Sequence, residues 1–275
     1  MSHYKIIACD LDGTLYNSKT QISKENIDAI NKLCERGILF VPSSGRTMSE
    51  MPPVLLKNPD IRYYIYSNGA AAIDTHTGEK ILMCMSQQLT NKVLNTLYDY
   101  KTHITLRHNG LCYIDAHFQK ESDIRFYNVH KVHHGVISEF GILKDDFKEF
   151  VYSLDDVEVM SVFFNDESQL RECKKQLCEI DGIIVADSWP YNLEIFSAKA
   201  GKGAALEALA KKLGIDVLQT IGIGDSGNDL SLVKIAGLGL AVENASAQLK
   251  DACDRVVCSN EQHTIKYILE NIIGE

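Results

Sequence analysis

Apolar and polar positions follow two different rhythms along the chain. Residues 5–9 form a short apolar run, long enough for a buried strand. Ser23 then reads as a helix N-cap, with Ile22 and Ile27 placed for a hydrophobic staple. Ile27, Ile30, Leu33 and Cys34 recur at helical spacing, and Gly37 supplies the stop. Residues 38–41 predict the next strand and 63–66 a third. Strand, helix, strand, helix, strand implies a parallel sheet with right-handed crossovers. Pro52-Pro53 shortens or offsets the helix between residues 46 and 57. The far end repeats the alternation. It predicts a helix over 203–213 ending at Gly214, a strand over 217–223 and a helix over 229–235. A strand over 238–242 and a last helix over 261–272 follow.

The middle has another texture. It holds six of the nine histidines and mixes strand-like runs (104–106, 159–164, 183–185) with helical ones (89–98, 168–180). The tract 115–141 follows neither rhythm. The pattern predicts an α/β protein: a Rossmann-like parallel-sheet core interrupted by an inserted α+β domain. The expected division is 1–82 for the first part of the core, 83–188 for the insertion and 189–275 for the rest of the core.

Composition narrows the function. The chain has 275 residues, 45% hydrophobic and 24% charged, an ordinary globular balance. No apolar run approaches the ~20 residues a membrane helix needs, so no membrane partner is expected. The net charge of −9 makes nucleic acid a poor partner, although one local cation still suits a small phosphorylated metabolite. The eight scattered cysteines match no zinc spacing. With no export signal before Asp10, they read as reduced, mostly buried thiols of a cytoplasmic protein.

Candidate chemistry begins at Asp10-Leu11-Asp12-Gly13-Thr14, directly after the first strand. In an open α/β sheet, ligands bind beyond the carboxyl ends of the strands. Two carboxylates two residues apart there can point into one site, with Gly13 allowing a sharp turn; an acidic turn capping the strand is the plainer alternative. Gly224-Asp225-Ser226-Gly227-Asn228-Asp229 also follows a strand and precedes a helix. Asp225 and Asp229, four apart, can face one point. Four gathered carboxylates repel one another unless a hard cation is bound, and Mg²⁺ is the natural choice. Ser43-Ser44-Gly45-Arg46 opens a helix and offers either a phosphate cradle or a simple N-cap. Lys202-Gly203 opens another, where a cation opposes the helix dipole and calls for an anionic partner; Lys199 is the rival for that role.

Together these segments resemble the haloacid dehalogenase (HAD) superfamily, specifically its Cof-type phosphatases with a type IIB cap. Asp10 to Thr14 is similar to the first motif, Ser44 to the second, Lys202-Gly203 to the third and Gly224 to Asp229 to the fourth. Ser67-Asn68-Gly69-Ala70 and Val242-Glu243-Asn244-Ala245 also look like Cof-type signatures. Ser44 stands where Thr is frequent, Val242 where Met is usual and His263 where Gly is common. The resemblance implies a Mg²⁺-dependent phosphatase of small phosphate monoesters, such as sugar phosphates or phosphorylated cofactors, working through an aspartyl-phosphate.

It implies Asp10 as nucleophile, Asp12 as general acid–base and Lys202 as charge neutraliser. Asp10, the Asp12 carbonyl and Asp225 would hold the metal, with Asn228 and Asp229 orienting groups behind them. Leu11, Asp12, Ser44, Gly45 and Lys202 would hold the phosphoryl group, with Arg46, Asn68 and Asn228 at the substrate rim. The insertion would be a cap that reads the leaving group. A phosphomutase or phosphotransferase on the same scaffold, or a non-catalytic phospholigand-binding protein, is the alternative. Outside these motifs, His130, His133 and His134 offer either a metal site or a solvated cluster. Cys9 reads as packing, and Trp189-Pro190-Tyr191 as the return from insertion to core.

Overall fold

The computed structural model describes residues 3–118, 120–129 and 131–274. They fall into two compact units, one of Met1–Gly45, Met51–Ile81 and Gly201–Glu275, the other of Arg46–Glu50 and Leu82–Ala200. Along the chain come β1 (Ile6–Cys9), α1 (Lys24–Glu35), β2 (Leu39–Pro42), α2 (Pro53–Leu56), β3 (Tyr63–Tyr66), β4 (Ala71–Asp74) and β5 (Lys80–Leu82). The second unit continues with α3 (Gln87–Leu97), β6 (Thr102–His108), β7 (Leu111–Asp115), α4 (Glu121–Phe126), α5 (Lys131–Phe140) and β8 (Gly141–Lys144). It ends with α6 (Phe147–Ser153), β9 (Val157–Phe164), α7 (Glu167–Leu177), β10 (Ile183–Trp189) and β11 (Asn192–Ser197). The first unit resumes with α8 (Lys202–Lys212), β12 (Thr220–Gly224), α9 (Leu230–Ile235), β13 (Leu238–Ala241), α10 (Ala247–Ala252), β14 (Arg255–Val256) and α11 (Thr264–Ile268).

In the first unit a five-stranded sheet runs β14-β13-β12-β1-β2, every pair parallel. β1 is wholly buried, as a central parallel strand covered on both faces must be. Ile6, Ala8 and Val41 pack against Ala205, Leu206 and Leu209 of α8. Chain order reverses at β1, with β2 on one side and β12 on the other, and a ligand crevice opens at such a reversal. The Ser23 hydroxyl caps α1 by accepting from Asn26 N–H at 3.2 Å, and Ile30 and Leu33 face inward.

The third predicted strand departs from expectation. β3 pairs antiparallel with β4 in a separate three-stranded sheet and meets the end of β2 through a parallel Ser43–Ile65 bridge. Pro42 offers no N–H to a longer ladder. The last predicted helix is also interrupted. His263 takes a left-handed φ of 58°, which separates a 3₁₀ turn, Asn260–Gln262, from α11.

The second unit is a six-stranded sheet, β10-β11-β9-β6-β7-β8, antiparallel except for the β7–β8 pair. One face carries Ile104, Leu106, Met160, Val162, Leu193 and Ile195, packed against Val93, Leu97, Val151 and Leu177 of the helices. Trp189-Pro190-Tyr191 is not the return to the core. Trp189 pairs with Asn192, and Tyr191 takes a φ of 64°, so Pro190-Tyr191 is the tight turn of a β10–β11 hairpin. Residues 189–200, expected in the core, therefore belong to the second unit.

Candidate active site

The register of the parallel sheet builds the site. Cys9 lies opposite Ile223, so β1 and β12 end level and release Asp10 and Asp225 side by side. The Asp10 N–H donates to the Ile223 carbonyl at 3.0 Å, fixing that exit. Carboxylate oxygens of Asp10, Asp225 and Asp229 lie within 4.8 Å of one another. Gly13, at φ 81°, turns the chain back, and a Cβ there would sit 2.5 Å from Asp225 Oδ2. Any side chain at residue 13 would therefore displace a carboxylate as well as strain the backbone.

Lys202 is completely buried at the start of α8. Its ammonium donates to Asp10 Oδ1 and to Asp229 Oδ1, both at 2.6 Å. Burial alone would push that ammonium down, but Asp10 and Asp229 outweigh it and hold it above the ordinary lysine range. The second oxygen of Asp229 accepts from the N–H groups of Asp225 and Ser226, at 3.0 and 3.2 Å. Asp229 is thereby committed to positioning Lys202 and the Asp225 loop. Asp10 and Asp225 are the carboxylates this arrangement leaves for a metal.

Burial raises the Asp10 carboxyl well above its usual range; Lys202 opposes this, and Asp229 and Asp225 add to it. Burial, with Asp229 beside it, pushes Asp225 up to about 6. Thr14 Oγ1 donates to Asp225 Oδ1 at 3.4 Å. Three carboxylates facing one ammonium form an all-oxygen, electron-rich cluster, and a hard divalent cation fits it. The neighbouring Cys9 thiol, driven up chiefly by burial, donates to the Asp10 carbonyl at 3.0 Å and is packing.

The other sequence-predicted residues divide. Leu11 is buried and its carbonyl accepts from Tyr16 N–H, so its side chain anchors the loop; the Asp12 side chain is exposed. Ser44 is buried at the end of β2, its N–H donating to the Ile65 carbonyl and its carbonyl accepting from Asn68 N–H. Asn68 Oδ1 accepts from Asn228 Nδ2 at 3.1 Å, and Gly45 leaves room for that amide: a Cβ there would come within 2.8 Å of Asn68 Oδ1. Arg46 belongs to the second unit, where its guanidinium donates to the Glu50 carbonyl at 3.4 Å. Lys199, the rival cation, is exposed in that unit. His130 lies outside the described residues, as does the side chain of His133. His134 Nε2 meets Ser138 Oγ at 3.2 Å. All eight cysteines are free, and Cys9, Cys112 and Cys173 are buried, fewer than expected because most of the others sit on helices or turns near the surface.

Sequence reasoning quoted some of the supports within motifs without giving them a role, and passed over Ser231. Ser231 Oγ accepts from Gly203 N–H at 3.1 Å, tethering the start of α8. Asn244 Nδ2 donates to the Gly13 carbonyl at 2.8 Å, and Ser226 closes a capping box with Asp229. The S-x-x-D spacing from Ser226 to Asp229 was the available signal. Gly69, at φ 82°, lies against the backbone of Gly201, which any Cβ would overlap. Gly69→Ala is expected to cost about 2–5 kcal/mol, from left-handed strain plus overpacking, and to lower activity by shifting Lys202. Urea unfolding checks the first effect and initial rates the second.

Comparison with known proteins adds to this geometry. The haloacid dehalogenase-like hydrolase family matches residues 7–269. A Bacillus subtilis protein named 5-amino-6-(5-phospho-D-ribitylamino)uracil phosphatase YwtE is 30% identical, over 98% of each chain. Phosphatase YwpJ of the same organism is 28% identical over 98% of this chain and all of that one. A crystal structure of a haloacid dehalogenase-like hydrolase from Bacteroides thetaiotaomicron superposes with a TM-score of 0.82 at 26% identity, covering 98% of this chain and 99% of the other.

Proposed function

The chain belongs to the haloacid dehalogenase-like hydrolase family and is a phosphoric monoester hydrolase of it, and we propose that it is Mg²⁺-dependent, forms an aspartyl-phosphate on Asp10 and acts on small phosphorylated metabolites. The observation that carries this reading is the buried Lys202 bridging Asp10 and Asp229 beside Asp225.

Each residue has a defined task. Lys202 holds Asp10 by one oxygen, so the carboxylate cannot turn away from the phosphorus it attacks. Its charge also offsets the negative charge that builds up as carboxylate meets phosphate. Asp12, exposed two residues on, protonates the departing alcohol. It then takes a proton from the water that cleaves the acyl phosphate. Its backbone carbonyl would join Asp10 and Asp225 in holding Mg²⁺. When bound, that ion supplies Lewis-acid stabilisation of phosphoryl oxygens and offsets the repulsion between Asp10 and its substrate. Ser44 and the backbone of Leu11 and Asp12 hold the phosphoryl oxygens, and Asn228 steadies the Asn68 amide at the rim. The inserted second unit, in whose 46–50 segment Arg46 lies, would serve as the cap that reads the leaving group. Sugar phosphates and phosphorylated cofactors are the substrate classes; the substrate named for the YwtE relative belongs in the test panel.

Phosphate release from such a panel in the presence of Mg²⁺ is expected, and chelation should abolish it. Unchanged rates after thorough chelation would remove the metal from the reading. Mg²⁺ should also raise the thermal midpoint, because an ion that binds only the folded state stabilises it. The gain should be smaller at pH 5 than at pH 7.5. With Asp225 near 6, the carboxyl is mostly protonated at pH 5 and must lose its proton before the ion binds. A calorimetric scan at both pH values checks the difference.

A further inference from the structure

Alternation along β6 divides its residues between two faces of the second unit's sheet. Ile104 and Leu106 pack against Val93, Leu97, Val151 and Leu177 of the helices, so His103 and Thr105 face the other way. Ile114 of β7 lies opposite Thr105 and shares that second face. A cavity of about 270 Å³ opens here. Its lining includes His103 and Ile114 of the sheet, Phe118 beyond β7, and Ile124, Val129 and Ser138 from the stretch that carries α4 and α5. All of these lie between Leu82 and Ala200, so the cavity belongs wholly to the second unit.

The lining selects for charge. Ile114, Phe118, Ile124 and Val129 are apolar, and Ser138 Oγ is already engaged by His134 Nε2 at 3.2 Å. Among the described residues no Asp, Glu, Lys or Arg lines the cavity. A phosphate or carboxylate would shed its water there and meet no counter-charge. His103 is the polar exception. It is 4% exposed, and its Nδ1 has no hydrogen-bond partner. A buried polar atom is normally satisfied by protein or by a bound molecule. Burial lowers the imidazole to about 4 against the pull of Asp115 and Asp123, so the ring is uncharged at neutral pH. An uncharged imidazole has one N–H and one bare nitrogen. A hydroxyl, which both donates and accepts, satisfies Nδ1 in either tautomer.

Size narrows the ligand further. An apolar cavity of ~150 Å³ in another protein takes one benzene, and a space nearly twice as large suits two fused rings. The Phe118 ring lies 5.0 Å from the imidazole, so an aromatic guest finds ring partners for the edge and offset contacts that such groups prefer. Water is a poorer tenant. Each molecule wants two to four polar partners, and His103 Nδ1 is the one buried, unmet side-chain atom among the described lining residues.

We propose that this cavity is a binding site for a small, uncharged aromatic alcohol, its hydroxyl on His103 Nδ1 and its rings against Phe118, Ile114, Ile124 and Val129. The site takes no phosphate and is complete within the second unit. It therefore stands apart from the Asp10 cluster and does not depend on the phosphatase reading.

Three probes with one naphthalene frame test it: 2-naphthol, naphthalene and 2-naphthoate. In equilibrium dialysis against the full chain at pH 7.5, 2-naphthol should bind saturably at one site. Its affinity should exceed that of either other probe at least tenfold. His103→Phe, which keeps a ring but removes the nitrogens, should bring 2-naphthol down to the level of naphthalene. Ile124→Trp, which fills the cavity, should weaken both at least tenfold.

Absence of saturable 2-naphthol binding overturns the proposal and leaves the cavity to water. Equal affinity for 2-naphthol and naphthalene overturns it, as does equal affinity for 2-naphthoate. A 2-naphthol advantage that survives in folded His103→Phe overturns it as well. If a variant does not fold, nuclear Overhauser contacts in the unaltered protein decide. Contacts from bound 2-naphthol to the Ile114, Ile124 and Val129 methyls support the site, and a bound probe that shows none of them overturns it.

Discussion

Asp10→Asn is expected to lower turnover of p-nitrophenyl phosphate by at least ~10³-fold, a barrier increase of about 4 kcal/mol. The substitution keeps the shape of the side chain and its position at the end of β1, where the backbone N–H is held by the Ile223 carbonyl. It removes the nucleophilic oxygen, so no covalent phosphoenzyme can form. Stability should hardly fall. Lys202 keeps Asp229 as an ionic partner, and the buried cluster loses one of three mutually repelling carboxylates. A thermal midpoint within a few degrees of the unaltered protein, together with the loss of rate, assigns the effect to chemistry. Near-normal hydrolysis by a folded Asp10→Asn protein would refute the role given to this residue. Acid-quenched phosphoenzyme, present in the unaltered protein and absent in the variant, provides a second readout.

Much of the core was legible because its signals are local. The buried run before Asp10, the Ser23 cap and the Ala- and Leu-rich stretch after Lys202 each specify their element without reference to the rest of the chain. The convergence of Asp10 with Asp225 was legible as well, since both follow apolar strands that a parallel sheet ends on one edge. Lys202 could be preferred to Lys199 because a cation at a helix start is unfavourable without an anion; the structure supplies two. The supports were harder to see. Nothing local says that Ser231 will hold Gly203, or that Gly69 must lie against Gly201, because these are contacts between distant segments.

The second unit was less legible for a different reason. β8 exposes Ile142 and Leu143 and lacks the alternation of a half-buried strand, whereas β7 alternates in burial but its sequence, Leu-Cys-Tyr-Ile-Asp, does not alternate in residue type. β11 was missed because Pro190 suggested a break between domains, whereas here it sits in a two-residue hairpin turn.

Lys202→Met should have the largest combined effect, costing about 3–5 kcal/mol of stability because it leaves buried carboxylates without their cation. Turnover should fall by at least ~10²–10³-fold, the scale of losing a preorganised electrostatic partner. The two losses are separable. Adding Asp229→Asn to Lys202→Met removes one unpaired charge and should restore part of the stability but none of the rate. If rate returned with stability, Lys202 would be a structural residue and the charge-neutralising role would be lost. The pH dependence has a definite sign. Without the ammonium, Asp10 is raised further by burial and by Asp229, so the folded variant holds protons that the unfolded chain has released above about pH 4. A group raised in the folded state contributes stability at low pH and loses it as pH rises through its folded value. Urea unfolding of Lys202→Met should therefore show a more stable protein at pH 5 than at pH 7.5, and Mg²⁺ at the higher pH should recover part of the difference by supplying the missing positive charge.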